Sequence, residues 1–275
     1  MKRFNSMVLL AAFASTAFFS CDNQEVRPDD NIPEEVYSRL GQLGFSVDGL
    51  TRIDDGYLVE NDIYLTDADL KRMSPAAGIP VVEQYSTNNL VNVSGQRVIT
   101  VYMPTGRRGF STGEQAGLDE AMRRYNSEGL TISFQRTSDS RGADIVFKRL
   151  SKRDESRGVL GSAGFPTASG DPYGTINMSG ILESRYGLSV NGIATIMAHE
   201  MGHCIGFRHT DYFDRSISCG GSTANEGSGG VGANHIPNTP TGADLQGNGS
   251  WMLACTDGSS RPFTNYDKVA LDYLY

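Results

Sequence analysis

Three of the four histidines of this chain lie in one run, His199-Glu200-Met201-Gly202-His203-Cys204-Ile205-Gly206-Phe207-Arg208-His209. Successive residues of an α-helix turn by about 100°, so His199 and His203 lie about 40° apart on one face, with Glu200 beside them. The opposite side is apolar, and its members are Ile193, Ala194, Met197, Met201, Cys204 and Ile205. The pattern predicts a helix that holds a metal ion on one face and packs on the core with the other.

The third histidine cannot reach the same metal ion from a straight helix, because His209 stands six residues after His203. The chain must turn between them, and Gly206 tolerates the left-handed conformation that ends many helices. Three neutral imidazoles leave the fourth tetrahedral position to water, which is the arrangement of a catalytic zinc site rather than of a closed structural one. The run therefore predicts a zinc ion bound by His199, His203 and His209.

This run resembles the signature of the metzincin zinc metalloproteases, H-E-x-x-H-x-x-G-x-x-H followed by a turn that contains methionine. More narrowly, it is similar to the bacterial HEIGH-type metallopeptidases, with Met201 in place of the usual Ile. The resemblance implies that Glu200 is the catalytic general base and that the three histidines are ligands only. It also implies a peptide or protein substrate.

Two stretches outside the helix carry the same resemblance. Met252 matches the methionine of the Met-turn, the apolar base beneath the zinc ligands. The segment from Gly158 to Pro166 resembles the edge strand of the matrix metalloproteinases, and an edge strand has free backbone groups that can pair with an extended peptide. Leu160 and Gly161 are the substrate-binding residues that this likeness implies.

Two positions depart from the family pattern. Matrix metalloproteinases hold a second zinc largely with histidine, but Ser162 stands where one such histidine would be, and His235 is the one histidine left over. We therefore expect one zinc per chain and a solvated loop position for His235. Some metzincins place an oxyanion-stabilising tyrosine two residues after the methionine, and here that place is Ala254. Calcium in the Gly-rich insertion, residues 220–250, is an alternative that no residue pattern supports.

Regular elements fill the part of the chain that carries these motifs. Three strands are predicted, at Val98 to Met103, Leu130 to Phe134 and Ala143 to Leu150. Ser111 and Glu114 form a capping box that begins a helix ending at Tyr125, with Leu118 and Met122 in its buried stripe. The pattern indicates an α+β fold. The resemblance implies a metzincin-like catalytic domain over residues 93–275, with a twisted, mostly parallel sheet, an antiparallel edge strand, the active-site helix and a C-terminal helix.

The N-terminus has the composition of an export signal. Lys2 and Arg3 precede an apolar run of about 13 residues, short of the roughly 20 that a spanning helix needs. Phe18-Phe19-Ser20-Cys21 resembles a bacterial lipobox, in which Cys21 receives lipid. The alternative is an ordinary secretory signal with Cys21 a free thiol. We expect residues 1–20 to be a signal peptide and 21–33 an acidic, solvated tether.

Residues 34–92 form a separate segment, interpreted as a pro-segment or a small accessory segment. Val36, Leu40 and Leu43 have helical spacing, and a polar stretch from Gln84 to Asn92 looks like its boundary. Within it, Val59-Glu60-Asn61-Asp62-Ile63 resembles the Gly-Asp-Ile motif of astacin pro-segments, although Asn61 replaces the Gly. The resemblance implies that Asp62 occupies the open zinc position and keeps the enzyme latent. The alternative is an Asp62 that faces solvent.

The cysteines other than Cys21 allow one disulfide and leave one thiol free. Cys204 lies on the core face of the predicted helix and suits a small buried hydrophobe. Cys219 and Cys255 flank the Gly-rich insertion, and an exported protein can keep them oxidised. Closing this loop would stabilise the fold by about 4 kcal/mol in the chain-entropy model. The alternative is two free thiols.

Charge narrows the range of partners. The chain has 24 Lys+Arg against 32 Asp+Glu, so it lacks the excess of basic residues that binding to a phosphate backbone needs, and we expect no nucleic acid partner.

We expect an exported monomeric zinc endopeptidase, secreted or held at the outer membrane or cell surface through lipid alone. One alternative is a surface binding lipoprotein that has lost catalysis, although Glu200 and all three histidines are present. The other is a zinc amidase with the same ligands.

Overall fold

The computed structural model describes residues 32–73, 84–107, 109–228, 230–240, 243 and 249–275. The predicted signal peptide, Cys21 and most of the tether lie outside the described residues. None of the helices within these ranges combines the length and the apolar composition that a bilayer crossing needs.

One sheet of eight strands organises the molecule. In chain order its strands are β1 Thr51–Ile53, β2 Gly56–Val59, β3 Ile63–Thr66, β5 Arg97–Tyr102, β6 Ile132–Arg136, β7 Ile145–Arg149, β8 Gly161–Ala163 and β9 Thr175–Met178. Their spatial order is β1-β2-β3-β8-β9-β7-β5-β6. A second, two-stranded sheet pairs β4 Tyr85–Ser86 with β10 Asn234–His235.

Four of the strand pairs are parallel, namely β5 with β6, β5 with β7, β7 with β9 and β3 with β8. Strand β8 is antiparallel to β9. The mostly parallel sheet with its antiparallel strand confirms the predicted fold class. Strand β8 is nevertheless not an edge of the whole sheet, because β3 of the N-terminal segment pairs with its outer side.

Seven helices accompany the sheet in the described residues. They are α1 Glu34–Leu43, α2 Asp67–Arg72, α3 Thr112–Asn126, α4 Lys152–Ser156, α5 Val190–Ile205, α6 Ser216–Cys219 and α7 Asn265–Leu274. The capping box at Ser111 and Glu114 is present at the start of α3. Helix α7 is the expected C-terminal helix, and Thr264 and Asp267 form a second capping box at its start.

The main core lies between the sheet and helices α3 and α5. Leu118, Met122 and Tyr125 are buried in it, as their spacing predicts. The Tyr125 hydroxyl donates to the Ala198 carbonyl at 2.7 Å, and the Trp251 indole N–H donates to the Tyr125 oxygen at 3.1 Å. These bonds fix α5 against α3 one residue before the first predicted zinc ligand.

The N-terminal segment has a small core of its own. Val36, Leu40 and Leu43 of α1 pack on the residues of β2 and β3, and Phe165, which follows β8, completes this cluster. Because Phe165 comes from the predicted catalytic part, the segment is docked onto that part by apolar contacts as well as by the β3 to β8 pairing.

The polar stretch after Gln84 is packed, not extended into solvent. Gln84 is 1% exposed and donates from Nε2 to Asp267 at 2.5 Å. The Thr87 N–H donates to the Gly206 carbonyl at 2.8 Å, and the Arg208 N–H donates to the Tyr85 carbonyl at 2.9 Å. A stretch that resembles a linker in composition therefore holds the turn between His203 and His209.

Candidate metal centre and active site

Helix α5 carries the first two candidate ligands. The Ser189 hydroxyl caps its start by accepting from the Gly192 N–H at 3.2 Å, and Gly206 ends it with φ at 110°, in the left-handed region. His199, Glu200 and His203 are all buried. The backbone then reverses as the sequence predicts, because Gly206 has no β-carbon to oppose this conformation.

The loop after α5 brings His209 back to the helix. Its backbone is fixed on both sides, by the Arg208 N–H on Tyr85 and by the Thr210 N–H, which donates to the Met252 carbonyl at 2.9 Å. His203 Nε2 lies 3.1 Å from His199 Nε2 and 3.2 Å from His209 Nε2. Three ring nitrogens therefore converge on one point.

This spacing fits a tetrahedral zinc ion. Ligand atoms bound 2.0 to 2.1 Å from one zinc lie about 3.3 Å from one another, close to the distances between the three Nε2 atoms. Burial and the neighbouring imidazoles of His199 and His209 hold the pKa of His203 well below its ordinary value. A neutral ring has a lone pair to give, so His203 suits a metal ligand.

Each ring is oriented through its other nitrogen. Nδ1 of His199 lies 2.8 Å from the Trp251 carbonyl, and Nδ1 of His203 lies 2.9 Å from the Phe207 carbonyl. Nδ1 of His209 lies 2.8 and 2.9 Å from the two carboxylate oxygens of Glu226. An N–H that donates to each of these oxygens leaves Nε2 as the free acceptor, which is the tautomer that metal binding needs.

Glu226 is a residue that sequence reasoning missed. It is fully buried and lies in the Gly-rich insertion, 17 residues after His209. Arg215 Nε lies 2.9 Å from one of its oxygens, and Arg208 Nη2 lies 3.6 Å from the other. No spacing rule joins a glutamate of an insertion to a histidine ligand, so the one usable signal was that Glu226 is the only glutamate of the Gly-rich insertion.

Glu200 is placed to move protons beside the three ligands. It is 2% exposed, and its Oε2 has no hydrogen-bond partner among the described residues. A β-carbon at Gly161 would lie 2.5 Å from Oε1, so this carboxylate sits against β8. Burial, and then the negative charge of Asp62, raise the pKa of Glu200 well above its ordinary value.

Asp62 is the fourth member of the cluster. Its Oδ2 lies 2.8 Å from His209 Nε2 and 3.4 Å from His199 Nε2. Asp62 with the three histidines is a group whose ligand atoms all lie within 4.8 Å of one another. Burial opposes ionisation, but the imidazoles of His209 and His199 outweigh it and hold the pKa of Asp62 well below its ordinary value. Asp62 does not face solvent.

Met252 lies beneath the helix as the Met-turn resemblance implies. It is fully buried, and a β-carbon at Gly202 would lie 2.6 Å from its sulfur. Gly202 stands directly before His203, so the sulfur packs under the ligand face. Neighbouring Trp251 packs edge-on against Phe207, with ring centroids 5.1 Å apart. The floor of the site is therefore apolar.

The structure also positions the predicted substrate-binding residues, the three cysteines outside the N-terminus and the fourth histidine. Leu160 and Gly161 line a cavity beside His199 and Glu200. Cys219 and Cys255 form a disulfide with Cα atoms 5.1 Å apart. Cys204 is a buried free thiol. The expected solvated loop position of His235 is wrong, because His235 is half-buried in β10 and pairs with Tyr85. It is not a member of the metal-ligand cluster.

Comparison with known proteins gives a matching family model and many similar solved structures, of which two are described. The family model of the dual-action HEIGH metallo-peptidases matches residues 57–275. The crystal structure of myroilysin aligns with a TM-score of 0.36 and 14% identity, over 71% of this chain and 96% of that one. A GM1-bound form of the ECX AB5 holotoxin aligns with a TM-score of 0.34 and 19% identity, over 72% of this chain and 81% of that one. No curated protein matches the sequence.

The orientation of His209 by Glu226 gives a testable prediction. Glu226→Ala removes the acceptor of the His209 Nδ1 proton, and losing such a partner weakens metal binding by about 10- to 100-fold. Zinc titration against a competing chelator measures this affinity. Glu155→Ala is the matched control, because Glu155 is a buried carboxylate that contacts Arg149 and Gly180 but no imidazole. Equal zinc affinity in the two variants would contradict the assigned role.

Proposed function

This chain belongs to the dual-action HEIGH metallo-peptidases, and we propose that it is an exported, latent zinc endopeptidase with Glu200 as its general base. One observation carries the proposal. Three imidazole Nε2 atoms converge within zinc-ligand spacing, and beside them lies a buried carboxylate oxygen without a partner among the described residues.

His199, His203 and His209 would hold the zinc ion. Their Nε2 atoms face one point, and their Nδ1 atoms are each taken by an oxygen. A zinc ion bound here supplies Lewis acidity, which polarises a peptide carbonyl and makes water a stronger nucleophile near neutral pH.

Glu200 supplies the proton transfers. As water adds to the peptide carbonyl, the Glu200 carboxylate accepts a proton from that water. The resulting carboxylic acid then donates the proton to the nitrogen of the leaving amine, and the carboxylate is restored. Burial raises the pKa of Glu200, and a carboxylate with a raised pKa is a stronger base toward the attacking water.

The outer side of β8 supports an endopeptidase. The Ala163 N–H of β8 donates to the Asp62 carbonyl at 3.0 Å, and Ile63 pairs with Ala163, so this side of β8 can bind a strand. Asp62 itself lies in the turn of the β2–β3 hairpin, in which Val59 pairs with Ile63. A substrate strand that took the place of β3 would be bound through its backbone, and such pairing accepts the middle of a polypeptide as well as its end.

The same contacts support latency. Asp62 places a carboxylate oxygen at hydrogen-bond distance from one ligand nitrogen, where a fourth zinc ligand would lie. Strand β3 covers the outer side of β8, which a substrate would need for backbone pairing. In the proposed latent state Asp62 thus fills the metal position, and β3 competes with a substrate for the outer side of β8.

A buried ionic contact helps to hold the segment down. Glu60 is fully buried, accepts from the Ser46 N–H at 3.0 Å, and lies 3.7 Å from the guanidinium of Arg208. Burial, and then the charge of Glu226, raise the pKa of Glu60. Arg208 directly precedes His209, so the segment is attached next to a zinc ligand.

The export proposal rests on the N-terminal sequence and on the disulfide. The stretch from Lys2 to Cys21 has the features of a lipoprotein signal. The Cys219 to Cys255 bridge needs an oxidising environment to persist, such as the periplasm or the cell surface. Both features favour a protein that leaves the cytoplasm, and the sequence before Cys21 favours attachment through lipid on that residue.

The latency proposal predicts that Asp62→Ala activates the uncleaved chain. Removing the carboxylate frees the fourth zinc position, so peptidase activity of the zinc-loaded protein should rise toward that of a chain beginning at Gln84, which keeps the stretch that holds the turn between His203 and His209. Hydrolysis of a fluorogenic peptide measures the change. Asp48→Ala, at an exposed aspartate of the same segment, is the control and should not raise the peptidase activity. Equal activity of the wild-type full chain and the shortened chain would refute latency.

The catalytic role of Glu200 is tested in the activated background. Asp62→Ala/Glu200→Ala should bind zinc as Asp62→Ala does, because Glu200 is not a ligand, but its turnover should fall by at least about 100-fold. Zinc content and peptide hydrolysis are measured on the same preparation. Near-normal hydrolysis by the double variant would remove Glu200 from the mechanism.

Lipidation predicts that Cys21→Ser moves the protein from the membrane fraction to the soluble exported fraction. Intact-mass spectrometry should find lipid on the wild-type chain and none on the variant. Ser20→Ala keeps a small residue before the cysteine and should remain lipidated. A mature wild-type protein without lipid would favour the ordinary secretory signal.

A further inference from the structure

A cavity of about 210 Å³ opens beside the candidate active site. His199 and Glu200 form one part of its wall, and Leu160 and Gly161 of the β8 side form another. The loop from Trp251 to Thr256 closes the opposite side. Because this cavity borders both the general base and the strand that would pair with substrate, it faces a side chain next to the bond that is cleaved.

Arg261 contributes to the wall of this cavity. Its N–H donates to Thr195 Oγ1 at 2.8 Å, and Thr195 precedes His199 by one helical turn, about 6 Å along the axis. The guanidinium Nη1 donates to the Cys255 carbonyl at 2.8 Å. Arg261 is thus bound to helix α5 through its backbone N–H and to the disulfide loop through its guanidinium, and it is only 8% exposed.

The positive charge of Arg261 is only weakly compensated. Its nearest carboxylate oxygen among the described residues is Asp257 Oδ1 at 3.5 Å, on a side chain that is 67% exposed. Ser259 binds that same oxygen through its N–H at 3.0 Å and its hydroxyl at 2.6 Å. Nε of Arg261 has no hydrogen-bond partner within the described residues. The one carboxylate partner of Arg261 among the described residues is therefore an exposed one, and a ligand carboxylate inside the cavity would be a second, buried partner for the guanidinium.

No other lining residue that the structure describes carries a permanent positive charge. The carboxylates of Asp62 and Glu200 line the cavity on the side of the candidate metal centre, and the rest of the wall is apolar or neutral, with Val159, Ile196 and Leu253 among its residues. An apolar wall excludes water and strengthens a charge-assisted hydrogen bond made inside it. The cavity therefore combines one fixed cation with a surface that weakly solvates a free carboxylate.

We propose that this cavity binds an aspartate or glutamate side chain next to the scissile bond, and that Arg261 is the residue that sets this preference. The inference rests on the proposed peptidase function and names its substrate class. Arginine presents a planar fork of N–H donors that matches a carboxylate in two-point geometry, which lysine cannot reproduce. An acidic substrate side chain would supply a buried anion for a guanidinium that the fold holds in place and that pairs only with the exposed Asp257.

The experiment compares two peptides that differ only by Glu or Gln at the residues flanking one cleavable bond. Zinc-loaded Asp62→Ala cleaves each, and kcat/KM is measured. We expect the Glu peptide to be preferred by about tenfold or more, the size of a charge-assisted hydrogen bond. In the same background Arg261→Met should abolish the preference, and Arg261→Lys should keep part of it. Arg136→Met, at an arginine paired with Asp119 on the surface, should leave it unchanged.

A binding measurement separates recognition from turnover. Asp62→Ala/Glu200→Ala should bind the Glu peptide more tightly than the Gln peptide, and Trp251, the one tryptophan of the chain, lines the cavity and serves as a fluorescent reporter. If Arg261 only braces the loop, its variants lower kcat/KM for both peptides by the same factor, and the proposal is wrong.

The outcomes distinguish this inference from the proposed function. Cleavage of both peptides with equal efficiency by Asp62→Ala overturns the acidic preference and leaves the peptidase function intact. Cleavage of neither, by this variant or by a chain beginning at Gln84, overturns the peptidase function and the inference together. If Arg261→Met fails to fold, the ratio in Asp62→Ala and its decrease in Arg261→Lys decide the question.

Discussion

The structure of this site depends on three imidazole protons that are each given to a fixed oxygen. Two of these oxygens are backbone carbonyls, of Trp251 and Phe207, and the third belongs to Glu226. A histidine can bind a metal through Nε2 only if its proton stays on Nδ1, so these acceptors decide whether the cluster is a metal site at all. The backbone on both sides of α5 must therefore be held in place, and much of the fold around it serves this requirement.

The stretches that provide these acceptors come from distant parts of the sequence. Tyr85 and Thr87 bind the turn around Gly206, which places both the Phe207 carbonyl and His209. Gln84 and Ser250 meet at Asp267, the residue that also caps α7, and so fix the loop before Trp251. The closing helix of the chain thus contributes to the orientation of the first ligand, although it touches no ligand itself.

Sequence alone predicted the parts of this arrangement that depend on local spacing. The helix of His199 and His203, its end at Gly206 and the capping box at Ser111 follow from short-range rules, and each is present. Glu226 and the pairing of β3 with β8 could not be predicted in this way, because they join residues that are far apart and have no shared periodicity. The polar stretch from Gln84 resembled a boundary because composition does not reveal that its hydrogen bonds are made inside the protein. Asp62 was reached only through a resemblance to a pro-segment motif.

The presence of Asp62 raises an electrostatic problem that the surrounding residues solve. His209 has a carboxylate at each ring nitrogen, Asp62 at 2.8 Å and Glu226 at 2.8 Å, and a third buried carboxylate, Glu60, lies near the same arginine. Three anions this close repel one another strongly in a buried site. Arg208 lies between Glu60 and Glu226, and Arg215 pairs with Glu226 from the other side, so two guanidinium groups offset much of the repulsion. These arginines do not contact Asp62. They stabilise the N-terminal segment against the site because they offset the negative charge of Glu60 and Glu226, which would otherwise repel Asp62.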